Sequence, residues 1–561
     1  MDEPIEYVED LRGRDQVEMA FGDRSDAGCT LTEVRQQPDR VSRLRLPTGE
    51  LSCQCVTVCS VPLRTGGELM SSQRPTPEQD SAVATFRDGD DLVLQAGAGT
   101  GKTTTLTLLA RATRSRGRYL AFNKAIATEA RQKFPGHVSC STAHSLAFKA
   151  IGHGFQDRLG RPRMSTAKLA QLLGIRIDVT IGQRTLRAST LCSLAQETVL
   201  RYCYSADEVI ARAHVPWPKG IATEAEHDQL TQLVLPWAER MWTDLQHPEK
   251  GRVPFKHDHY LKMWALTQPR IYGDFLLLDE AQDTNPAIER VFLDQGRHAQ
   301  LVMVGDSAQA IYGWRGARDV MTGFHGRQLA LSHSFRFGAA VATEANRWLA
   351  IAEAPIRLTG SPQVTSQLSA VTNPDAILCR TNGGAMGEIL ALLADGRRVA
   401  LAGRVHILKD LADAARDLQA GRRTTHRELL LFSTWGEVQE YVEWDPDGRD
   451  LQPFVDVIDE HGVDVVLHTL AQLCDEGSAE ITVSTAHAAK GREWSAIRIA
   501  EDFTEPVDPD NVSVNGDPLP APIEPAEARL AYVAVTRAQH RLDLGGLSWI
   551  NQRADGNPPH R

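Results

Sequence analysis

Asp279, Glu280, Gln282 and Asp283 set four polar side chains within five residues, where one carboxylate can hold a metal ion and the next can polarise a water. They follow directly on four apolar residues, Phe275-Leu276-Leu277-Leu278. A short continuous apolar run of this kind predicts a strand buried on both faces, as in a parallel sheet. Acids emerging at its C-terminal end then lie where open α/β sheets bind ligands. Taken alone, the string fits equally well a buried strand leading into a helix whose N-terminus is complemented by acids.

A second cluster decides between these. Ala96-Gly97-Ala98-Gly99-Thr100-Gly101-Lys102-Thr103-Thr104 follows the strand-like residues 91–95 and precedes a helical run from Leu106 to Ala112. The glycines allow backbone N–H groups to turn inward around phosphate oxygens. Lys102 supplies positive charge to the β- and γ-phosphates, and the Thr103 hydroxyl can ligate Mg²⁺. The helix N-terminus adds its own partial positive charge. Ala96 stands where the first glycine of such a loop is usual. Together the two clusters predict a P-loop nucleoside triphosphatase, without saying of which kind.

These groups must be held by a sizeable scaffold. The 561 residues suffice for about three or four domains, and 42% hydrophobic with 24% charged residues describes a soluble globular chain. A formal net charge of −11 means that any nucleic acid would be met by a local groove and not by the field of the whole molecule. No apolar run is long enough to span a membrane, no signal peptide is evident, and the nine cysteines are scattered. The expected location is therefore a reducing cytoplasm, on the nucleoid if the source is bacterial. Cys29, Cys53, Cys55 and Cys59 match no common zinc spacing and read better as residues on or near a strand.

Strand and helix patterns alternate in two blocks, each interrupted. The expected division is an extension at 1–70, a first core from 71–150 and 263–328, and a helical insertion at 151–262. A second core follows from 329–404 and 479–546, with a short insertion at 405–478 and a tail at 547–561. The extension offers one candidate hairpin, at 41–61, and no assignable role. Met70 reads as a natural start, which would make the extension dispensable.

Further motifs follow in a fixed order. Val304-Gly305-Asp306-Ser307-Ala308-Gln309-Ala310-Ile311-Tyr312-Gly313-Trp314-Arg315 comes after the acidic strand, then Ser334-Phe335-Arg336-Phe337-Gly338. Thr485-Ala486-His487-Ala488-Ala489-Lys490-Gly491-Arg492-Glu493-Trp494 and Ala531-Tyr532-Val533-Ala534-Val535-Thr536-Arg537-Ala538 lie near the end. In this order they resemble the motifs of superfamily 1 helicases of the UvrD/Rep type, over about Arg74 to Leu544. Ser334–Gly338, Phe122-Asn123-Lys124 and His257-Asp258-His259-Tyr260-Leu261-Lys262 resemble the Fbh1-like members in particular. The extension shows no F-box-like segment.

The resemblance implies an α/β fold of two RecA-like P-loop cores, parallel sheets flanked by helices, each with an inserted and largely helical subdomain. ATP would lie between the cores. It implies that Gln79 reads adenine, that Phe335 stacks on it, and that Glu493 lies near the ribose. Many members carry an arginine where this chain has Thr104, so the adenine sandwich is expected to be one-sided. Asp279 with Thr103 would position Mg²⁺, Glu280 would activate water, and Gln309 would couple the γ-phosphate to the DNA-contacting loop. Lys102 would hold phosphate, and Arg336 and Arg537 would act as arginine fingers. Phe122, His144, Tyr312, Trp314, Arg380 and His487 would line a groove for single-stranded DNA, with 3′-tailed or forked duplex as the substrate and 3′ to 5′ movement. Recombinase or repair proteins are the expected partners. A translocase that strips proteins, and a nucleotide-gated switch without turnover, are the competing readings.

Overall fold

The apolar run at 275–278 is a fully buried central strand. The structure, a computed structural model, describes residues 74–553 apart from 162–163, 183, 219–220, 312–319, 404, 427, 431, 445–449 and 513–517. The expected hairpin at 41–61, the cysteines from Cys29 to Cys59, and Tyr312 and Trp314 lie outside the described residues.

The strands begin with β1 (Leu92–Ala96), β2 (Gly117–Ala121) and β3 (Val138–Thr142). A small hairpin, β4 (Val179–Ile181) and β5 (Arg184–Leu186), precedes β6 (Phe275–Leu278), β7 (Gln300–Gly305) and β8 (Arg327–Leu331). Six of these form a parallel sheet in the order β3-β2-β6-β7-β1-β8. Side chains alternate between its faces. Leu92, Leu94, Tyr119, Phe275, Leu277, Val302 and Val304 pack on one face with Ala82, Phe86, Leu106 and Leu109, from helices Pro77–Arg87 and Lys102–Arg111. Val93, Leu120, Leu276, Leu278, Leu301 and Met303 pack on the other, in one core with the chain inserted between β3 and β6.

That insertion is mostly helical, as its periodicity predicts, with helices at Ala143–Ala150, Thr166–Leu173, Ala188–Tyr204, Glu224–Leu245 and His257–Leu266. Thr223 and Glu226 close a reciprocal capping box on the longest of these. The β4–β5 hairpin is an addition that the helical pattern does not announce.

The second sheet uses β9 (Gln367–Leu368), β10 (Ala376–Cys379), β11 (Val399–Leu401), β12 (Ile481–Thr485) and β13 (Trp494–Ile499). An antiparallel pair, β14 (Val507–Val512) and β15 (Pro518–Pro520), stands apart before β16 (Ala538–Asp543). The sheet is again parallel, in the order β11-β12-β10-β13-β16-β9. Ala376, Leu378, Ile497 and Ile499 pack with helices Ala339–Ile351 and Pro525–Val535. Ile377, Val399, Ile481 and Val483 pack on the opposite side with Leu408, Leu411, Val438, Phe454, Ile458 and Val466. The architecture is thus two parallel six-stranded sheets flanked by helices, the α/β class expected.

Two details depart from the sequence-based division. The line drawn at 328/329 cuts through β8, which completes the first sheet by pairing with β1. Residues 405–478 behave less as an insert than as a layer. Their helices, Val405–Gln419, Trp435–Trp444, Gln452–His461 and Val463–Leu470, share one core with the second sheet and with helix Asn382–Ala394, which packs on its strands. No helix among the described residues is long and apolar enough to cross a membrane.

Candidate nucleotide site and nucleic-acid face

The glycine-rich loop runs from the end of β1 into helix Lys102–Arg111. Gly99 and Gly101 hold φ of +75° and +79°, a left-handed conformation that side chains disfavour. A Cβ on Gly99 would lie 2.5 Å from Ser334 Oγ and 2.6 Å from Arg336 Cβ. The loop is therefore pressed against the second core's Ser-Phe-Arg motif, and Phe335 N–H donates to Gly99 O at 2.9 Å. Ala98 N–H donates to the Tyr532 hydroxyl at 3.0 Å. Thr100 is buried with its hydroxyl on Gly97 O, and Thr104 is exposed.

At the end of β6, Asp279 is buried beside helix Lys102–Arg111. Thr103 Oγ1 lies 3.5 Å from Asp279 Oδ2, which also accepts from the Tyr119 hydroxyl. Burial, and then the charge of Glu280, push the Asp279 carboxyl up to about 6. A carboxylate and a hydroxyl are hard oxygen donors, and a divalent cation placed between them would draw that carboxyl back to its ionised form. The donor set fits Mg²⁺.

Glu280 has φ +52° and ψ +46°. A non-glycine residue held there costs about 1–2 kcal/mol, and such strain gathers where geometry is functional. Its carboxylate lies 3.8 Å from Lys102 Nζ and accepts from Gln282 Nε2 at 2.6 Å. Burial opposes its ionisation, yet the ammoniums of Lys102 and Lys490 hold its pKa below the usual value. Glu280 is thus poised as an ionised base.

Lys490, from the second core, makes the central cross-link. Its Nζ lies 2.7 Å from Asp283 Oδ1 and donates to Gln309 O at 2.5 Å, with both side chains of the ion pair buried. Burial raises the Asp283 carboxyl to about 6, against the pull of Lys490. Gln309 Nε2 donates to Asp306 Oδ2 at 2.7 Å, and Tyr532 donates to the same oxygen at 2.8 Å.

Both expected arginine fingers lie on the second core and are turned inward. Arg336 Nε donates to Glu493 at 2.5 Å, and its NH1 to Thr536 O at 3.1 Å. Arg537 is 1% exposed and donates to Val533 O, Arg492 O and Thr536 Oγ1. Burial, and then the charge of Arg336, lower its pKa to about 9. Glu493 also accepts from Gln539 at 2.9 Å. Gln79 and Phe335 flank the loop together, since a Cβ on Gly101 would lie 3.6 Å from each. The Gln79 amide is fixed by Thr76 N–H and Thr105 Oγ1, both at 3.0 Å.

Of the residues expected to line a nucleic-acid groove, Phe122 is 45% exposed just after β2. With His144, Tyr204, Asp258 and Asp283 it lines a cavity of about 180 Å³ that reaches Asp279. His144 Nε2 lies 3.4 Å from Asp258. Arg380 is gripped by Glu527 through two bonds of 2.9 Å and by Asp450 at 2.8 Å. Burial lowers the His487 pKa, and the ring hydrogen-bonds the backbone of Ile311, next to the undescribed residues 312–319.

Sequence reasoning assigned no role to Lys490, Tyr532, Asp283 or Glu78, whose carboxylate accepts from Ser332 N–H at 2.8 Å. The first three lie inside quoted motifs, and that placement was the available signal.

Residues 79–315 match the family described as AAA domain, and residues 408–549 match the UvrD-like helicase C-terminal domain. With paired parallel sheets, a phosphate loop on the first and motif arginines on the second, the chain belongs to the UvrD-like helicases, as its motif order anticipates. It is similar to F-box DNA helicase protein 1 of Schizosaccharomyces pombe, 30% identical over 509 residues, covering 84% of this chain and 57% of that protein. It is also similar to F-box DNA helicase 1 of Gallus gallus, 28% identical over 493 residues, covering 81% of this chain and 47% of that protein. The chain spans about half the length of these curated relatives.

Proposed function

We propose that this chain is an ATP-driven motor that moves 3′ to 5′ on single-stranded DNA and couples hydrolysis to strand separation in repair or recombination. The observation that carries the reading is Lys490, which ties Asp283, beside the water-activating Glu280, to the carbonyl of Gln309, where the DNA-contacting loop begins.

When bound, Mg²⁺-ATP supplies the phosphoryl group and neutralises part of its charge. Lys102 binds the phosphates, and Asp279 and Thr103 hold the metal. Glu280 accepts a proton from the attacking water. Gln79 and Phe335 orient the base. Arg336 and Arg537 leave their carboxylate and carbonyl partners to face the developing charge, a contribution worth about 10³–10⁵ in rate for arginine fingers. Gln309 relays the state of the site to Tyr312 and Trp314, which stack on bases at roughly 1–3 kcal/mol each. Phe122, His144 and His487 extend that groove, and Arg380 joins it once released from Glu527 and Asp450. Core closure and reopening then advance the strand.

The deciding experiment is phosphate release with and without single-stranded DNA. Lys102→Ala should abolish the stimulated rate, and a fully active variant would refute this site. Trp314→Ala should impair stimulation far more than ATP binding, and equal loss of both would refute the coupling. Wild type without turnover would leave a nucleotide-gated switch.

One observation favours a second reading, a translocase that mainly removes bound proteins such as recombinase filaments. The helices between 405 and 470 are packed into one core with the second sheet and helix Asn382–Ala394, and so are not free to form a wedge. Strand displacement and filament disruption, assayed side by side, separate the two.

A further inference from the structure

The two helical regions face each other across a cavity of about 550 Å³. Helix Ala188–Tyr204 and residues 216–218 line one side, and Thr425, Glu428, Phe432 and Asp450 line the other. Arg423 NH1 donates to Thr185 O at 3.0 Å, and Arg184 meets Glu437 at 3.5 Å, so the regions also touch directly.

Trp217 stands at this cavity and is 44% exposed. Its indole is not loose. Nε1 donates to Ile221 O at 2.6 Å, and one ring face lies flat on His227, with centroids 4.4 Å apart and planes at 7°. His227 is buried, and its Nδ1 has no hydrogen-bond partner. Its Nε2 lies 3.4 Å from Val215 O. A large apolar ring backed on one face and partly exposed at a cavity is the form of a base-stacking platform.

Lys256 lines the same cavity, with an exposed side chain and no ion pair among the described residues. Carboxylates are present too. Glu197 lies 3.3 Å from Arg201, Asp450 lies 2.8 Å from Arg380, and Glu428 is at the exposed rim. Through Asp450 the cavity adjoins Arg380, and so the groove described above.

We propose that this cavity is a further contact for the single strand, in which one base stacks on Trp217 and a neighbouring phosphate meets Lys256. The inference rests on the motor reading and lengthens the strand's path across the molecule.

Fluorescence anisotropy with labelled thymidine oligonucleotides of increasing length tests it on the full chain. In the wild type, affinity should climb with length until the strand reaches the cavity. Trp217→Ala should cut the affinity gained between short and long strands roughly tenfold, and Trp217→Phe should restore most of it. Lys256→Gln should reduce the salt dependence of long-strand binding by about one phosphate contact. Unchanged long-strand affinity in Trp217→Ala would overturn the proposal, and a peptide-binding cavity would give that result. Equal loss for short and long strands would also overturn it, because that is how a folding defect acts. The motor reading fails separately, if the wild type itself shows no DNA-stimulated phosphate release.

Discussion

Glu280 joins strain to charge: a left-handed backbone aims its carboxylate at Lys102, and two ammoniums keep it ionised. Glu280→Gln keeps the size and the hydrogen bonding but removes the base. Its kcat in DNA-stimulated ATPase should fall about 10²–10⁴-fold with little change in nucleotide affinity, as steady-state kinetics would show. Tyr532 is a second test at this scale. Its hydroxyl accepts from Ala98 N–H and donates to Asp306. Tyr532→Phe leaves both groups buried without that partner, so unfolding in denaturant should show a loss of about 1–3 kcal/mol. Nothing in the sequence pairs Tyr532 with Ala98, because 434 positions separate them and only the meeting of two cores joins them.

The elements most legible in the sequence are those whose signals are local. The run at 275–278 and the loop at 96–104 each carry strand, turn and helix information within a dozen residues, and both form as expected. The expected boundary at 328/329 falls inside strand β8, because most of the strand's residues are exposed and its partner β1 lies far upstream. Likewise, the hairpin β4–β5 has only three residues per strand, too few to outweigh a helical surrounding. Helix His257–Leu266 gives an element-scale prediction. Burial lowers the His259 pKa from 6.5 to about 3, and its Nδ1 accepts from Lys256 N–H at 3.0 Å, which requires the neutral ring. The folded pKa lies below the unfolded one. This stabilisation is therefore complete above about pH 6.5 and is lost as pH falls towards 3, by up to about 1.4 kcal/mol per unit. Thermal melts from neutral to about pH 5 should show the loss, and His259→Gln should flatten it.

Across the whole molecule, the cores are joined at buried polar contacts and not by a broad apolar seam alone. Lys490 and Asp283 form a buried pair between them. Lys490→Met would strand the Asp283 carboxylate, at a cost of about 3–5 kcal/mol. Denaturant melts should then resolve two transitions where the wild type should give one, and the tie should resist salt, as surface pairs do not. The second sheet has a consequence for how this protein can be taken apart. Excising 405–478 would look like trimming an accessory. It would instead strip Leu408, Leu411, Val438, Phe454, Ile458 and Val466 from the core they share with the sheet and with Ala385, Met386 and Ile389 of helix Asn382–Ala394, so the truncated chain should aggregate whatever the region's role. Modularity ends there, and the region can be interrogated only from outside, at outward-facing positions such as Ile407 and Val465.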